Sequence, residues 1–318
     1  MTAPPLVIHT EPISNRARAW LAGRTTLVDA RPGEPEFESV ASEAVGLVVR
    51  TYTRVDSDLL LRMPALRVVG RAGVGLDNID VEACRAKGIQ VVHTPEANTR
   101  AVVEFVFTLL FDLIRPRARL EEAVDADAWN ALRSTCVGRR ELDEMTFGVL
   151  GFGKIGRRVS RVAAAFGART LHHDLLDIPE EERSGSSPVT AERLFAESDV
   201  LSIHVDGRRS NHDLVGSELL GLMKKDSILV NTSRGFVVQE PALAGHLARH
   251  PDSVAMLDVH ADEPVRPDGP LLALPNARLT PHLASRTESA MERMSGVVED
   301  VWAVLEGRAP RWPAPDTP

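Results

Sequence analysis

Short apolar runs alternate with longer amphipathic stretches almost from end to end of the 318-residue chain, and this alternation leaves few folds open. Leu6–His9, Thr26–Asp29, Gly46–Arg50, Leu66–Val69 and Ile89–Val92 read as buried strands, too short for independent helices. Helical stretches such as Ser57–Arg62 and Ile79–Lys87 lie among them, the latter closed by Gly88 as a C-cap. A second series follows: Thr146–Leu150, Arg169–His173, Val200–His204, Ser227–Asn231, Val254–Asp258 and Ala277–Thr280. Such alternation means a parallel sheet, either open and doubly wound or closed as a barrel. A long helix pattern, Asn98–Leu120, ends near Pro116 and is followed by a polar, irregular stretch, Asp125–Glu144. This separator favours two open α/β units over one barrel. Residues 1–95 are expected to form the first domain, completed by 286–318, with 96–285 as the inserted second domain and a cleft between the two as the natural site. Ser285–Leu305 reads as helix, and the proline-rich tail APRWPAPDTP is expected to be loose.

Composition narrows the function classes. A net charge of −8 argues against nucleic acid or an anionic membrane as the main partner, so an anionic substrate must be held by locally placed arginines. Two cysteines, Cys84 and Cys136, with no cysteine–histidine cluster, point away from disulfides or a metal and toward a reducing cytoplasm. The first ten residues lack the pattern of a signal peptide, and the most apolar run, Ala101–Ile114, is too short to span a bilayer and contains Glu104 and Asp112.

Gly151-Phe152-Gly153-Lys154-Ile155-Gly156 directly follows the strand TFGVL and opens a helical stretch, Ile155–Phe166. In that context Gly151 allows a tight turn, Gly153 lets a pyrophosphate approach the main chain, and Gly156 permits close packing of helix on strand. The phosphates are expected at the helix N-terminus, where N–H groups are unclaimed. Asp174 ends the next strand, 174 − 156 = 18 residues after the last glycine. An acid there accepts hydrogen bonds from ribose hydroxyls and repels a 2′-phosphate, so NAD is expected over NADP.

Three further segments follow strands of the second series: NTSRG ending at Gly235, LDVHADEP from Leu257 to Pro264, and TPHLAS from Thr280 to Ser285. The carboxyl ends of parallel strands face the ligand crevice, which lets the three converge. Arg234 suits a substrate carboxylate and its neighbouring carbonyl, being always charged and forked in a plane. His282 suits proton exchange with the carbonyl oxygen. Glu263 can hydrogen-bond the other imidazole nitrogen, fix the tautomer and favour the charged ring.

With these motifs in this order, the chain resembles the D-isomer-specific 2-hydroxyacid dehydrogenase family, most of all its 3-phosphoglycerate dehydrogenase branch, from about Val45 to Val298. RAGVGLDNID (Arg71–Asp80) is similar to the family's substrate-carboxylate loop, and TPEANTRAVVEF (Thr94–Phe105) to its crossover into the cofactor domain. The resemblance implies a flavodoxin-like substrate-binding domain and a Rossmann NAD-binding domain. It implies that the N–H groups of Val74 and Gly75, with Arg234, hold the carboxylate of a small 2-hydroxy or 2-keto acid. By the same resemblance Asp258 meets the nicotinamide carboxamide, Lys154 and Ile155 meet the pyrophosphate, and His204 and Thr232 line the cofactor. Arg50 and Arg71 match arginines near the phosphate in the phosphoglycerate branch, which implies a dianionic, phosphorylated or phosphonate-like substrate. A homodimer through the cofactor domain is implied as well, using the region of Asn98–Glu144.

Two departures stand out. The family usually has proline two residues after the position of His204, where this chain has Asp206, and the regulatory domain of longer phosphoglycerate dehydrogenases is not expected after the C-terminal helical stretch. Two other readings stay open: a formate- or phosphite-type dehydrogenase, and a non-enzymatic NAD-binding regulator of the corepressor type.

Overall fold

The computed structural model describes residues 3–315, which divide into two compact units: the first runs to Arg100 and resumes at Ser285, and the second spans Ala101–Ala284. In the first unit five strands, β1 (Leu6–His9), β2 (Thr26–Asp29), β3 (Gly46–Val49), β4 (Val68–Arg71) and β5 (Gln90–His93), form a parallel sheet in the order β2-β1-β3-β4-β5. The period of two sorts the side chains onto its faces. Ile8, Leu47, Val49 and Val69 join Phe37, Leu59 and Leu60 in one core. Val7, Val48, Val68 and Val92 join Val297 and Val301 of the helix Val297–Leu305 in the other.

The second unit holds β6 (Thr146–Leu150), β7 (Arg169–His173), β8 (Ser187–Pro188), β9 (Val200–Ile203), β10 (Ile228–Asn231), β11 (Val254–Leu257) and β12 (Ala277–Leu279). They form a parallel sheet in the order β12-β11-β10-β9-β6-β7-β8. Helices Thr99–Ile114 and Lys154–Ala165 cover one face, burying Val106, Leu110, Val159 and Ala163 with Phe147 and Val149. Leu150, Leu201, Leu229 and Leu257 point to the opposite face, where Leu194, Phe195 and Leu243 close the core.

The alternation therefore builds the two parallel sheets it implies, but four local readings are corrected. The polar stretch after residue 124 contains a helix, Ala126–Thr135, capped by the Asp125 carboxylate and burying no residue, so it carries none of the apolar periodicity that reveals a helix. The C-terminal helical stretch is two helices, Glu288–Ser295 and Val297–Leu305, parted at Gly296. Strand β8 was not foreseen, being two residues long and containing a proline. The tail is not loose over its described part: the His93 N–H donates to the Trp312 carbonyl at 3.0 Å, and the Ala314 N–H to the Val91 carbonyl at 2.8 Å. The buried Asp300 carboxylate takes the N–H groups of Arg311 and Trp312. The last three positions of the tail, 316–318, lie outside the described residues. Among the described residues no helix is long and apolar enough to cross a membrane.

Candidate active site

The chain leaves β6 at Leu150 and turns at Gly151, whose φ of +87° favours glycine. A Cβ there would lie 2.7 Å from the His204 carbonyl carbon, and one on Gly156 would lie 2.1 Å from the Gly151 carbonyl oxygen. Around Gly153, by contrast, a Cβ would meet nothing within 4 Å. The helix Lys154–Ala165 thus starts from bare main chain, with the N–H groups of Lys154 and Ile155 lacking intrahelical acceptors. Asp174 accepts the Phe152 N–H at 2.6 Å and the Leu176 N–H at 2.9 Å, which ties this acid to the glycine loop. Each carboxylate oxygen retains a lone pair. Beneath the loop the Phe152 ring stacks on His172 with centroids 3.9 Å apart. Burial, then the charge of Arg183, push His172 down to about 4, so it is neutral at pH 7.

After β9, burial pushes His204 down to about 3, and its Nε2 lies 2.8 Å from Ser202 Oγ. Asp206, the departure noted above, is a charged turn. It accepts from Arg208 Nε at 2.7 Å and Asn211 Nδ2 at 3.0 Å. Its carboxyl is held below the ordinary range, first by the Arg208 hydrogen bonds and also by the charge of Arg234.

After β10, Asn231 sets the turn that carries Arg234. Its Nδ2 donates to the Arg234 carbonyl at 2.9 Å, and its Oδ1 accepts from the Ser233 N–H at 3.0 Å and hydroxyl at 2.8 Å. Gly235 follows because nothing larger fits: a Cβ there would be 1.9 Å from the His260 carbonyl carbon. The Arg234 loop and the loop after β11 therefore run directly against each other. His260 stitches the next contact, its N–H donating to Glu263 Oε1 at 3.2 Å and its ring Nε2 to the Thr280 carbonyl at 2.8 Å.

Asp258 is fully buried and accepts from the Thr280 hydroxyl at 2.6 Å and the N–H groups of Leu283 and Ala284 at 2.7 Å each. These bonds hold the segment that carries His282, whose φ is +55°. A non-glycine residue in that region is strained by about 1–3 kcal/mol and persists where neighbours over-determine it. The result aims the ring: His282 Nδ1 lies 2.8 Å from Glu263 Oε2, with about a quarter of each side chain exposed. Burial would raise the Glu263 carboxyl, but the hydrogen bond and charge of His282 and the His260 N–H outweigh it and hold the group below the ordinary range. An ionised Glu263 is an acceptor only, so the proton of that bond sits on Nδ1 and Nε2 faces outward chemistry.

In the first unit, buried Glu11 gathers the loop after β3. It accepts the N–H groups of Arg50 and Tyr52 at 3.1 Å, Thr51 at 2.9 Å and Thr53 at 3.0 Å. Asn78 Nδ2 donates to the carbonyls of Arg50 at 3.1 Å and Thr53 at 2.7 Å. Arg50 is half-buried and exposes part of its head, whereas Arg71 is buried on its own loop, where a Cβ at Gly73 would overlap its Nη1 at 1.2 Å. Among the described residues the N–H groups of Val74 and Gly75 donate to no protein acceptor.

The three second-unit loops proposed from the sequence are thus adjacent, with Glu263 and His282 in direct contact. Sequence reasoning missed Glu11, Asn231 and His260, which act on partners through the fold. For Asn231 and His260 the signal was only membership of the NTSRG and LDVHADEP segments; for Glu11 there was none. The residues around the glycine loop fit a dinucleotide: the main chain at Gly153 is open, and the buried Thr232 hydroxyl has no partner among the described residues.

Residues 107–284 match the model of the D-isomer specific 2-hydroxyacid dehydrogenase NAD binding domain. The chain belongs to that family. Its cofactor is NAD. It is 38% identical over 285 residues to a glyoxylate reductase of Aeropyrum pernix, covering 87% of this chain and 85% of that one. It is also 38% identical over 278 residues to an (S)-sulfolactate dehydrogenase of Chromohalobacter salexigens, covering 86% and 88%. A D-3-phosphoglycerate dehydrogenase of Archaeoglobus fulgidus is 32% identical over 95% of this chain, which spans 57% of that longer protein. Among solved structures, a D-lactate dehydrogenase from Aquifex aeolicus in complex with NAD and lactic acid superposes with a TM-score of 0.82 at 29% identity, covering 95% of this chain and 96% of that one.

Proposed function

We propose that the chain transfers a hydride between NAD(H) and C2 of a small 2-keto or 2-hydroxy acid that carries a second anionic group. The observation that carries the chemistry is the 2.8 Å contact of His282 with Glu263, beside the Arg234 loop in an NAD-binding domain. NADH, when bound, supplies the hydride. His282 Nε2 gives a proton to the carbonyl oxygen in reduction and takes it back in oxidation. Glu263 accepts the Nδ1–H, fixes the tautomer and stabilises the imidazolium. Arg234 grips the substrate carboxylate and polarises the adjacent carbonyl. The unclaimed N–H groups of Val74 and Gly75 support a carboxylate role for that loop. Gly151, Gly153, Lys154, Ile155, Gly156, Asp174, His204 and Thr232 hold the cofactor in this reading. Asp258, also proposed as a carboxamide contact, acts through its bonds to the His282 segment as a positioning residue.

Support for a second negative group comes from Arg50 and from relatives named for sulfolactate and phosphoglycerate. The relative named for glyoxylate favours a smaller monoanion, and turnover decides. Arg71, folded onto its own loop, is proposed to buttress that loop as well as to add positive field. We also propose a cytoplasmic homodimer. Exposed Leu120, Trp129 and Val137 lie in and around the helix that buries no residue, and both cysteines are free.

The test is NADH consumption with glyoxylate, pyruvate, oxaloacetate, 3-sulfopyruvate and 3-phosphonooxypyruvate. The expected order places the dianions first in kcat/KM. NADH binding without turnover of any 2-keto acid would instead support the corepressor-type reading.

A further inference from the structure

Acidic residues outnumber lysine and arginine by 45 to 37 in this chain, and arginines at its surface commonly find a carboxylate. Arg140 pairs with Asp199 at 2.8 Å, Arg169 with Glu197 at 2.9 Å and Arg266 with Asp268 at 2.7 Å. Several arginines of the first unit depart from this, Arg67 and Arg293 among them, which donate to main-chain carbonyls, and two of these arginines, Arg50 and Arg286, also feel each other's charge. Arg50 spends its guanidinium on neutral atoms, the Pro12 carbonyl at 3.1 Å and the Met291 sulfur at 3.0 Å. Arg286 is exposed, and among the described residues it makes no ion pair. Met291 lies one turn into the helix Glu288–Ser295, and Arg286 immediately precedes its N-cap, Thr287. The two cations are therefore brought to the same end of one helix.

Their charges act on each other. Burial foremost lowers the Arg50 pKa; Glu11 raises it, and the neighbouring charge of Arg286 lowers it further. The Glu11 charge offsets part of this, but its oxygens accept four main-chain N–H groups and, among the described residues, none from the Arg50 guanidinium, whose own hydrogen bonds go to neutral atoms. Two like charges with neutral or no partners are an unfavourable arrangement that an oxyanion between them reverses. Each guanidinium offers a planar fork of N–H donors suited to carboxylate, sulfonate or phosphoryl oxygens. Arg286 also follows the catalytic candidate His282 by four residues in the chain.

We infer that Arg286 is a specificity-determining residue, which with Arg50 binds the distal oxyanion of the substrate. The inference rests on the reading of the chain as a dehydrogenase of dianionic 2-keto acids and adds the residue that selects them. Arg50 is held in place through its main chain by Glu11 and Asn78. Arg286 stands on a free surface and supplies the second half of the grip.

The experiment measures kcat/KM with NADH for pyruvate, oxaloacetate, 3-sulfopyruvate and 3-phosphonooxypyruvate in the parent, Arg286→Ala and Arg286→Lys. The readout is the ratio of each dianion to pyruvate, with thermal unfolding as the check that the variants fold. Arg286→Ala is expected to lower that ratio for all three dianions by about ten- to a hundredfold, chiefly through KM, the scale of a charge-assisted contact. Arg286→Lys is expected to restore part of it, because a point charge replaces a fork. A parent that prefers dianions by the same ratio after Arg286→Ala overturns the subsite while leaving the dianion reading intact. A parent that turns over pyruvate better than every dianion overturns that reading and the subsite with it.

Discussion

In the five-stranded sheet the strand order reverses between β1 and β3; in the seven-stranded sheet it reverses between β6 and β9. Loops leaving the carboxyl ends on either side of such a point diverge and open a crevice lined by main-chain N–H groups. The second unit leaves its crevice open, with a glycine turn, bare main chain at Gly153 and a helix start whose first N–H groups have no intrahelical acceptor. The first unit fills its own, since the Glu11 carboxylate at the end of β1 takes four N–H groups of the loop after β3. One topology thus leaves the main chain open at the crevice of one unit and, with a tethered anion, makes a rivet in the other. The rivet fixes the main chain at Arg50, so in the proposed reading the fixed loop serves recognition while the open one serves the cofactor.

The sharpest way to break this division is at the chemistry, which it confines to the loops of the seven-stranded sheet. His282→Ala is expected to lower kcat by about a thousandfold, within the usual range for a general acid–base group, with no loss in the urea midpoint. If Glu11→Ala depressed kcat as strongly, the first unit would be part of the chemistry and the division would fail. The expected effect of Glu11→Ala is instead on stability, a loss of about 3 kcal/mol on urea unfolding as buried N–H groups lose their acceptor. Glu11→Gln should lose less, because three of the four N–H groups meet Oε1, which an amide oxygen can replace, and only the Thr51 N–H would face the NH₂.

Gly151→Ala tests the open crevice. Its Cβ collides with the His204 main chain, so NADH affinity should fall by about a hundredfold, roughly 2.7 kcal/mol, in a fluorescence titration. Unchanged affinity would mean that the turn relaxes without disturbing the helix start.

The smallest effect is expected at Glu263. Glu263→Gln keeps the shape and a hydrogen bond but removes the charge beside His282, and kcat should fall by about tenfold. Reduction needs the imidazolium, so its alkaline limb should move to lower pH; oxidation needs the neutral ring, so its activity should extend toward acid. Since the Glu263 carboxyl is held down in the folded chain, its contribution to stability is in place above the ordinary glutamate range. That contribution is lost as pH falls through the depressed value, and the variant's stability should be flatter there. Coincident pH profiles in both directions would reduce Glu263 to a turn residue.

What could be read from the residues is what is local. Gly151, Gly153 and Gly156 between a strand and a helix, and Asp174 at the end of the next strand, announce a dinucleotide loop because the whole pattern lies within one strand–helix–strand unit. Arg234, Glu263 and His282 were legible because each follows an apolar strand at a point where a parallel sheet presents its loops. Glu11 was not, since its partners lie about forty positions away and an acid after a strand has no distinctive pattern. Asp258 was read only as a cofactor contact, because its bonds to residues 280–284 depend on the pairing of β11 with β12. Arg286 looked like any surface charge until its nearness to Arg50 could be seen.

The pinned tail has a bearing on solubility. β5 is the outer strand of its sheet on one side, and an outer strand offers a ready template for pairing with another chain. Here the segment around Pro313 already runs antiparallel along it, bridging to Val92. Having no N–H, Pro313 cannot extend the ladder outward, and Pro310 and Pro315 flank it. A chain cut after Gly307 would bare the edge of β5 and gain a route to self-association that the intact protein closes with the short segment 308–315.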